Sequence, residues 1–523
     1  MTESTAKDPG PAIEKKIVPQ TGGGHQILKG SIWMVALRWA IRLTGVLSTV
    51  ILARLLSPKD FGVVAIAMIV VGFFEVFNDT GQGQAIIRHK NPTREHYDSA
   101  WTVSLLIGLA IGIAIAITAP LSASYFHDNR AVLVMQCLAL RPIVSSLENV
   151  GTVDFHRDLT FGRVFGYLFW AKIISFVVTV ALAVLLRNYW ALVGGILTGQ
   201  VARTLLSYWL HPYRPKLSFA ATKEIWGFSI WSFFRSLGSY SMYQLDTIAV
   251  GGVTDSSAMG RYVVAKDVAT SPTDEICAPI IAVLFPVMAR SQDDSVQMKH
   301  LYLRTLGWTA IIAISTSVGI FMVAPDMVSV ILGSKWIGIA SLMGWISATA
   351  GVAAMADPAF IVLDVLGMPR KGAQMQWIRV GILGLAIVPL AYLTRDLEVI
   401  AVARFAVTFI FVPSLLLTVG RRINVGYRDY GAILWRPLIA GGAIALAVHL
   451  LNAVLPFGGA LRMLLDVGAG SVAFGVALMA LWIIVGRPAS AEGDLLILIR
   501  RVLERLAVIR ARGTGGPDNI VHP

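Results

Sequence analysis

The stretch from Ser31 to Thr80 predicts two apolar helices joined by a short turn, and four charged residues lie within or near the apolar parts. Arg38 and Arg42 are four positions apart, so on a helix they share one face. Glu75 and Asp79 have the same spacing in the next apolar segment. A charge at membrane depth is costly unless it is paired or hydrated, which makes each a candidate functional residue. Because forked guanidinium groups fit phosphate oxygens, the arginines favour a site for a pyrophosphate-bearing substrate part-way across a membrane.

A second group of charges lies in two later apolar segments. Arg235 and Asp246 are eleven positions apart, about three helical turns, so they also share a face. Tyr240 and Tyr243 lie between them, and their hydroxyl groups could line a wet cavity. The next segment carries Lys266 and then three acids, Asp267, Asp274 and Glu275. Together the charges predict a cationic internal cavity more firmly than they predict the role of any one residue.

Each of these charges also has a purely structural interpretation. Arg42 could pair with Glu75 simply to join two helices, and Asp246 could be an end-of-helix charge near a membrane surface. Other charges in apolar segments are predicted to form interhelical pairs or to reach the interface. These are Lys172, Arg203, Asp357, Asp364, Arg379, Arg404 and Asp466. The residues alone leave both interpretations open.

The composition is that of a polytopic membrane protein. Of 523 residues, 56% are hydrophobic and 14% are charged, and the mean hydropathy is +0.69. Apolar runs of about twenty residues recur along the chain, which predicts an all-α fold with about fourteen transmembrane helices. The runs are continuous rather than alternating, which excludes a β-barrel. The net charge of +13 reflects basic loops rather than nucleic-acid binding.

No motif in the chain points to a cofactor, a metal ion or soluble-enzyme chemistry. There is no Walker A sequence, no zinc-binding histidine pair and no nucleophile elbow. The two cysteines, Cys137 and Cys277, fall in apolar segments without metal-ligand spacing. We therefore expect neither a cofactor nor a metal site.

The distribution of Lys and Arg predicts the orientation in the membrane. With the N-terminus inside, the inner loops carry more than twice as many basic residues as the outer loops. The excess recurs at nearly every inner loop, which predicts that both termini are cytoplasmic.

An internal repeat divides the chain. The segment ILARLLSPKDFGVVAIAM, from Ile51, resembles IAVGGVTDSSAMGRYVVAKDV, from Ile248, and pairs Gly62 with Gly260. Ala-Pro recurs at 119–120 and 324–325, and a third match follows in the same order. The repeat predicts two homologous six-helix lobes of the same topology. The predicted domains are a disordered cytoplasmic tail (1–28), an N-terminal lobe (29–212), a C-terminal lobe (213–420), two additional transmembrane helices (421–486) and a basic amphipathic cytoplasmic tail (487–523).

The C-terminal tail has helical periodicity. Leu495, Leu498 and Val502 recur at helical spacing, and arginines flank them. This suits an amphipathic helix held at the inner leaflet by anionic membrane lipids. A helix packed on the cytoplasmic face of the protein itself is the equal alternative.

Three stretches resemble a known family. They are ILARLLSPKDFGVVAIAMIVVGFFEVFNDTGQGQAIIR, QLDTIAVGGVTDSSAMGRYVVAKDVATSP and IIAVLFPVMARSQDD. From about Gly30 to Gly420 the chain resembles bacterial polysaccharide transporters, the Wzx-like flippases of the MOP superfamily. The resemblance implies a MATE/MOP-like fold with a central cavity and alternating access. It also implies export of an undecaprenyl-pyrophosphate-linked oligosaccharide across the bacterial inner membrane, for exopolysaccharide or lipopolysaccharide synthesis, in possible association with polymerase machinery.

The resemblance also implies roles for the charged residues. The cavity would be lined by the first, second, seventh and eighth predicted spans, at about residues 30–56, 61–82, 225–252 and 259–289. The candidate phosphate contacts are then Arg38, Arg42, Arg235 and Lys266. The candidates for coupling to H⁺ or Na⁺ are Glu75, Asp79 and Asp246.

Two other functions remain as alternatives. A MATE-type drug or cation antiporter would be expected to have an acidic, aromatic cavity with few arginines, whereas arginine is prominent in the first and seventh spans. A membrane polysaccharide polymerase or ligase would be expected to carry catalytic residues on a large periplasmic loop. All the predicted outer loops are short, so we expect no enzyme activity.

Overall fold

The described part of the chain is entirely helical. The computed structural model describes residues 23–77, 86, 92–158, 160–222, 230–291, 294–454, 458–488, 490–497 and 504, and within them no strand occurs. The helices are α1 (Gly23–Leu55), α2 (Pro58–Glu75), α3 (Arg94–Tyr125), α4 (Arg130–Leu138), α5 (Leu140–Ser146), α6 (Val153–Arg157), α7 (Phe161–Leu186), α8 (Trp190–Leu210), α9 (Ile230–Val253), α10 (Ser256–Arg290), α11 (Ser295–Met327), α12 (Ala340–Ala354), α13 (Asp357–Val365), α14 (Pro369–Thr394), α15 (Leu397–Gly420), α16 (Tyr427–Val454) and α17 (Ala460–Ile484).

Many of these helices could cross a membrane. By length and composition, ten spans among the described residues qualify, and eleven do if the segment from Arg130 to Arg157, bent by 63°, counts as one. The all-α polytopic prediction is therefore confirmed, but the count of fourteen is not. One reason is that α2 carries Lys59, Asp60 and Glu75 within 18 residues. The helices α8 and α9 also fall outside the ten.

Local capping signals fix where the central helices begin. Ser57 and Asp60 form a reciprocal capping box at the start of α2, and Pro58 occupies its first turn. Asp255 caps α10, because its Oδ1 accepts the backbone N–H of Ala258 at 2.9 Å. The caps therefore fix the residues at which these two helices begin, close to the point where the helices cross.

Helices α2 and α10 cross at a contact between glycines and backbone. A β-carbon at Gly62 would lie 1.7 Å from the carbonyl oxygen of Ser256, and one at Gly260 would lie 1.8 Å from that of Pro58. No side chain fits at such distances, so only glycine permits this approach. The contact is reciprocal, and both pairs of equivalent residues are 198 positions apart. This is the geometry expected of a pseudo-twofold axis between two homologous hairpins.

A second contact closes the same end of the molecule, the predicted outer side. Trp336 is fully buried, and its indole Nε1 donates to the carbonyl of Ala53 at 2.9 Å. The Lys335 ammonium group donates to the carbonyls of Arg54 at 2.9 Å and Leu56 at 2.6 Å. The segment between α11 and α12 is thereby fastened to the α1–α2 turn.

The segment between the predicted lobes is fastened to α3. The Asp98 carboxylate accepts the backbone N–H of Lys216 at 2.9 Å, and it also accepts a hydrogen bond from Tyr213. The Ser99 hydroxyl accepts the backbone N–H of Ala221 at 3.0 Å. Residues 211–222 contain almost no helix, so these side chains satisfy backbone groups that lack a helical partner.

The chain after α17 returns to the helix bundle. Glu492 and Arg436 form a buried ion pair at 3.3 Å, and Arg304 of α11 binds Asp494. Ala491 packs against the backbone of α11 at Gly307. Most of the predicted amphipathic segment lies outside the described residues, as do residues 1–22. Helix α1 begins at Gly23, inside the segment that was predicted to be a disordered tail.

Candidate functional site

Charged side chains from three candidate membrane spans, α1, α7 and α10, meet in one cluster. We call this group the α1–α10 charge cluster: Arg38, Arg42, Lys172, Asp267, Asp274 and Glu275. The two arginines share a face of α1, and the three acids lie within two to three turns of α10. Three basic and three acidic groups balance in net charge, which lowers the cost of holding them among apolar helices.

Ion pairs connect α1 to α10 within this cluster. Arg38 Nε lies 2.7 Å from Glu275 Oε2, and the two residues are 237 positions apart. Arg42 is more loosely held, at 3.9 Å from both Asp267 and Glu275. Asp274 and Lys172 interact electrostatically with these groups. The arginines that were predicted to contact phosphate are therefore paired with the acids of α10.

The α1–α10 charge cluster is accessible. The side chains of Arg38 and Asp267 are 39% and 54% exposed, while those of Arg42 and Glu275 are about one quarter exposed. An accessible arginine keeps guanidinium N–H donors that its carboxylate partner does not use. A phosphate group could therefore bind alongside the acids or replace them.

A second cluster in the predicted C-terminal lobe is closed. We call it the Asp246 cluster: Asp246 of α9, Tyr262 and Lys266 of α10, and Arg404 of α15. The Asp246 carboxylate lies 3.1 Å from Lys266 Nζ, accepts the Tyr262 hydroxyl at 2.5 Å and pairs with Arg404. Its side chain is 1% exposed and that of Lys266 is 6% exposed. Lys266 and Asp246, predicted to bind substrate and a coupling ion respectively, bind each other in this conformation.

The Lys266 ammonium group is fully engaged. It donates to the Thr247 hydroxyl at 3.0 Å and to the Tyr243 carbonyl, and it lies 4.1 Å from the centroid of the Tyr243 ring. Arg404 was predicted only as a possible interhelical pair, and its charge inside an apolar segment was the sequence signal. Its partner Asp246 could not be identified from spacing.

The remaining predicted site residues are placed as follows. Glu75 pairs with Arg141 at 3.1 Å rather than with Arg42, and both side chains are about one quarter exposed. Asp79 and the side chain of Arg235 lie outside the described residues. Tyr240 donates to the carbonyl of Ile69, so it joins α9 to α2 rather than standing free in a cavity.

An apolar groove lies between α11, α12, α15 and α16. Its volume is about 660 Å³, and its lining is almost entirely hydrocarbon. Phe321, Met322, Phe405 and Leu438 contribute to the lining. Such a surface suits a hydrocarbon chain and offers little to a soluble ion. Among the described residues, no group of three or more His, Cys, Asp or Glu side chains is placed to hold a metal ion.

Comparison with known proteins identifies the family. Residues 51–341, more than half of the chain, match the sequence model of a family described as "Polysaccharide biosynthesis protein". The chain belongs to this polysaccharide biosynthesis protein family. The predicted resemblance to bacterial polysaccharide transporters is thereby confirmed.

Curated relatives of this family member are distant. An "Uncharacterized membrane protein in cps region" of Klebsiella pneumoniae is 24% identical over 336 residues, which cover 63% of this chain and 69% of that protein. "Lipopolysaccharide biosynthesis protein WzxC" of Escherichia coli is 22% identical over 320 residues, covering 60% and 64%. For WzxC the matched part is less than two thirds of the relative's length.

Solved structures show that this family member has the fold of MOP transporters. A structure titled "Lipid II flippase MurJ, inward closed conformation" has a TM-score of 0.64 at 14% identity and covers 88% of this chain and 99% of that one. An inward-facing multidrug resistance MATE transporter of the MOP superfamily has a TM-score of 0.58 at 15% identity and covers 75% and 98%. The predicted MATE/MOP-like fold is confirmed, and the protein is a multi-pass membrane protein.

Proposed function

We propose that this protein flips undecaprenyl-pyrophosphate-linked oligosaccharide repeat units from the cytoplasmic to the periplasmic leaflet of the bacterial inner membrane. Its products would serve exopolysaccharide or lipopolysaccharide synthesis, in association with polymerase machinery. The observation that carries the proposal is the accessible α1–α10 charge cluster, in which Arg38 and Arg42 lie on one face of α1 opposite the acids of α10. Family membership and the MOP fold support it.

The α1–α10 charge cluster supports binding of the pyrophosphate group. Glu275 and Asp267 balance the charge of Arg38 and Arg42. Phosphate oxygens would replace these carboxylates, because bidentate guanidinium–phosphate pairs are strong charge-assisted hydrogen bonds. The apolar groove would accommodate part of the polyprenyl chain. Lys266 and Arg235 remain proposed contacts, and Lys266 could act only after leaving Asp246.

Coupling to H⁺ or Na⁺ belongs to the same proposal. Glu75 is a suitable group because it is partly exposed and, among the described residues, Arg141 is its one ion-pair partner. Asp246 is less suitable in this conformation, because Lys266 and Arg404 already occupy the place that a coupling cation would take. When phosphate displaces Asp267 and Glu275, these two acids also become free to bind a proton. Asp79 remains a candidate outside the described residues.

The topology and organisation follow from the same proposal. We place both termini in the cytoplasm, because the basic loops lie on that side. Two six-helix lobes, residues 29–212 and 213–420, would rock about the central cavity, and residues 421–486 would add two helices. The protein would act as a transporter and not as an enzyme. A drug or cation antiporter, the alternative with the same fold, is disfavoured by the accessible arginines.

Replacing both arginines tests the proposal in cells. The Arg38→Ala, Arg42→Ala double variant should abolish polysaccharide export, because the pyrophosphate group loses its forked donors while the acids of α10 remain. Surface polysaccharide would be measured in a strain that lacks its own copy, with membrane levels of the protein checked by immunoblot.

Two controls sharpen this experiment. The Arg38→Lys, Arg42→Lys variant keeps the charge but removes the forks, and it should lose most of the export. Arg187→Ala, at an exposed turn after α7, should export normally. Normal export by the double alanine variant at normal membrane levels would remove both arginines from the mechanism.

A further inference from the structure

A polar cavity lies at the predicted outer side, away from the α1–α10 charge cluster. Its volume is about 640 Å³. One wall comes from the start of α2 and the turn between α3 and α4, and the other comes from the α9–α10 turn and the end of α14. These walls belong to different predicted lobes. Whatever binds in the cavity would therefore touch both.

Both carboxylates that line this cavity are already committed. Asp128 is buried and receives two hydrogen bonds from the Arg130 guanidinium group, at 2.9 and 2.6 Å, and a third from Ser256. Asp255 caps α10 through the backbone N–H of Ala258 at 2.9 Å. Asp128 is therefore neutralised by Arg130, whereas Asp255 keeps its charge and uses one oxygen to cap α10.

Three basic groups in the lining have no such partner. Lys59, His127 and Arg395 are exposed side chains that make no hydrogen bond or ion pair with another described residue. Lys59 comes from α2, while Arg395 follows α14, so free donors face the cavity from both walls. With Arg130, the cavity holds three permanent positive charges against two committed negative ones. Its unused hydrogen-bonding capacity is therefore that of an anion site.

The internal repeat allows this cavity to be compared with the equivalent position in the other half of the repeat, and the two positions differ. The repeated Ala-Pro pairs are 205 positions apart, and the same offset pairs Ala131 with Trp336. In the equivalent contact, Trp336 is fully buried and fills the space beside the α1–α2 turn. On this side the equivalent residue is a small alanine. Tyr125 and Phe126 pack against Gly252 and Gly251 at the start of the α9–α10 turn, and residues Gly252 to Ser256 line the cavity.

We propose that this cavity binds an oxyanion of the phosphate class, held between Lys59 and Arg395. Guanidinium and ammonium donors from two walls suit phosphate oxygens. The ligand would be either the headgroup of an outer-leaflet lipid or a soluble phosphate-bearing saccharide. A bound anion would tie the two walls together and hold the outer side closed. Only the assignment to the outer side of the membrane rests on the proposed function.

Binding of inorganic pyrophosphate to the purified full-length protein tests this site. The measurement uses the Arg38→Ala, Arg42→Ala variant, which lacks the arginines of the α1–α10 charge cluster. Calorimetry in detergent then reports pyrophosphate binding at sites other than that cluster. We expect saturable binding that weakens about tenfold or more in a further Lys59→Gln, Arg395→Gln variant, because two charge-assisted hydrogen bonds are lost. Val253→Trp, which fills the cavity without changing its charge, should also prevent binding.

Matched controls distinguish the outcomes. Arg187→Gln removes an exposed arginine that is not part of the lining, and it should leave the affinity unchanged. Pyrophosphate binding is also compared between nanodiscs of phosphatidylglycerol and nanodiscs of phosphatidylcholine. Weaker binding in phosphatidylglycerol would identify a lipid headgroup as the natural ligand, and equal binding in the two lipids would identify a soluble one. Unchanged affinity in both the Lys59→Gln, Arg395→Gln and the Val253→Trp variants would overturn the proposal. Loss of transport alone would leave this binding result unaffected.

Discussion

At the scale of single residues, two charge clusters on α10 differ in exposure. The Asp246 cluster is buried and holds one carboxylate against two cations, Lys266 and Arg404. The α1–α10 charge cluster is accessible and balanced in charge. A buried ion pair needs its full set of partners, since removing one leaves an uncompensated charge in a low-dielectric interior. The buried cluster therefore suits a structural role, and the accessible one suits exchange of partners with a ligand.

Removing the buried carboxylate should destabilise the protein strongly. Asp246→Asn would leave Lys266 and Arg404 without an anion, at a cost of about 3–5 kcal/mol. Thermal unfolding of the purified protein in detergent would measure the loss. Asp429→Asn is the matched control, because its ion pair with Lys299 is one third exposed and should contribute less than about 1 kcal/mol. Equal effects of the two substitutions would contradict a structural role for the Asp246 cluster.

The Asp128 contact at the outer side should persist at mildly acidic pH. Burial alone would raise the pKa of Asp128, but hydrogen bonds from Arg130 and Ser256 hold that pKa below its usual value of 3.8. A group with a lowered folded-state pKa stabilises above its unfolded pKa, and the stabilisation is lost as pH falls through the folded value.

The difference in melting temperature between the wild type and Asp128→Asn measures this contact. We expect it to be constant from about pH 8 to about pH 5 and to shrink only below about pH 4. A difference that already disappears near neutral pH would contradict the assigned hydrogen bonds.

At the scale of helices, the crossing of α2 and α10 closes the predicted outer side. Two glycines let backbone meet backbone, and the contact is the same in both directions. Trp336 and Lys335 add a contact that fastens the α1–α2 turn. Opening this side would require α2 and α10 to separate together with these groups.

Gly260→Ala should open the outer side. The added β-carbon would lie 1.8 Å from the Pro58 carbonyl oxygen, which forces the helices apart. Opening is measured with a single cysteine, Ala53→Cys, in a protein from which Cys137 and Cys277 have been removed. Residue 53 is buried beneath Trp336, so the cysteine should become more reactive toward a membrane-impermeant maleimide when the helices separate. Gly468→Ala has no atom within 4 Å of the new methyl group and serves as the control. Unchanged labelling of the reporter would exclude this crossing as the closure.

At the scale of the whole molecule, the sequence predicted the elements better than their partners. Apolar runs and turn signals predicted the all-α fold, and the repeat paired Gly62 with Gly260, which meet at the crossing of α2 and α10. Periodicity also placed Arg38 and Arg42 on one face. It could not pair Arg38 with Glu275, 237 positions away, because that contact depends on how distant helices pack. The closed Asp246 cluster was missed for the same reason, since α9, α10 and α15 meet only in the folded chain.

The central claim is that this molecule flips a lipid-linked oligosaccharide by means of Arg38 and Arg42. Its most direct test is a flipping assay in proteoliposomes, with an undecaprenyl-pyrophosphate-linked oligosaccharide placed in one leaflet and detected in the other. We predict transfer by the wild-type protein, none by the Arg38→Ala, Arg42→Ala variant, and normal transfer by Arg187→Ala. Transfer by the double variant at the wild-type rate, or none by the wild-type protein under an imposed proton or sodium gradient, would contradict the account.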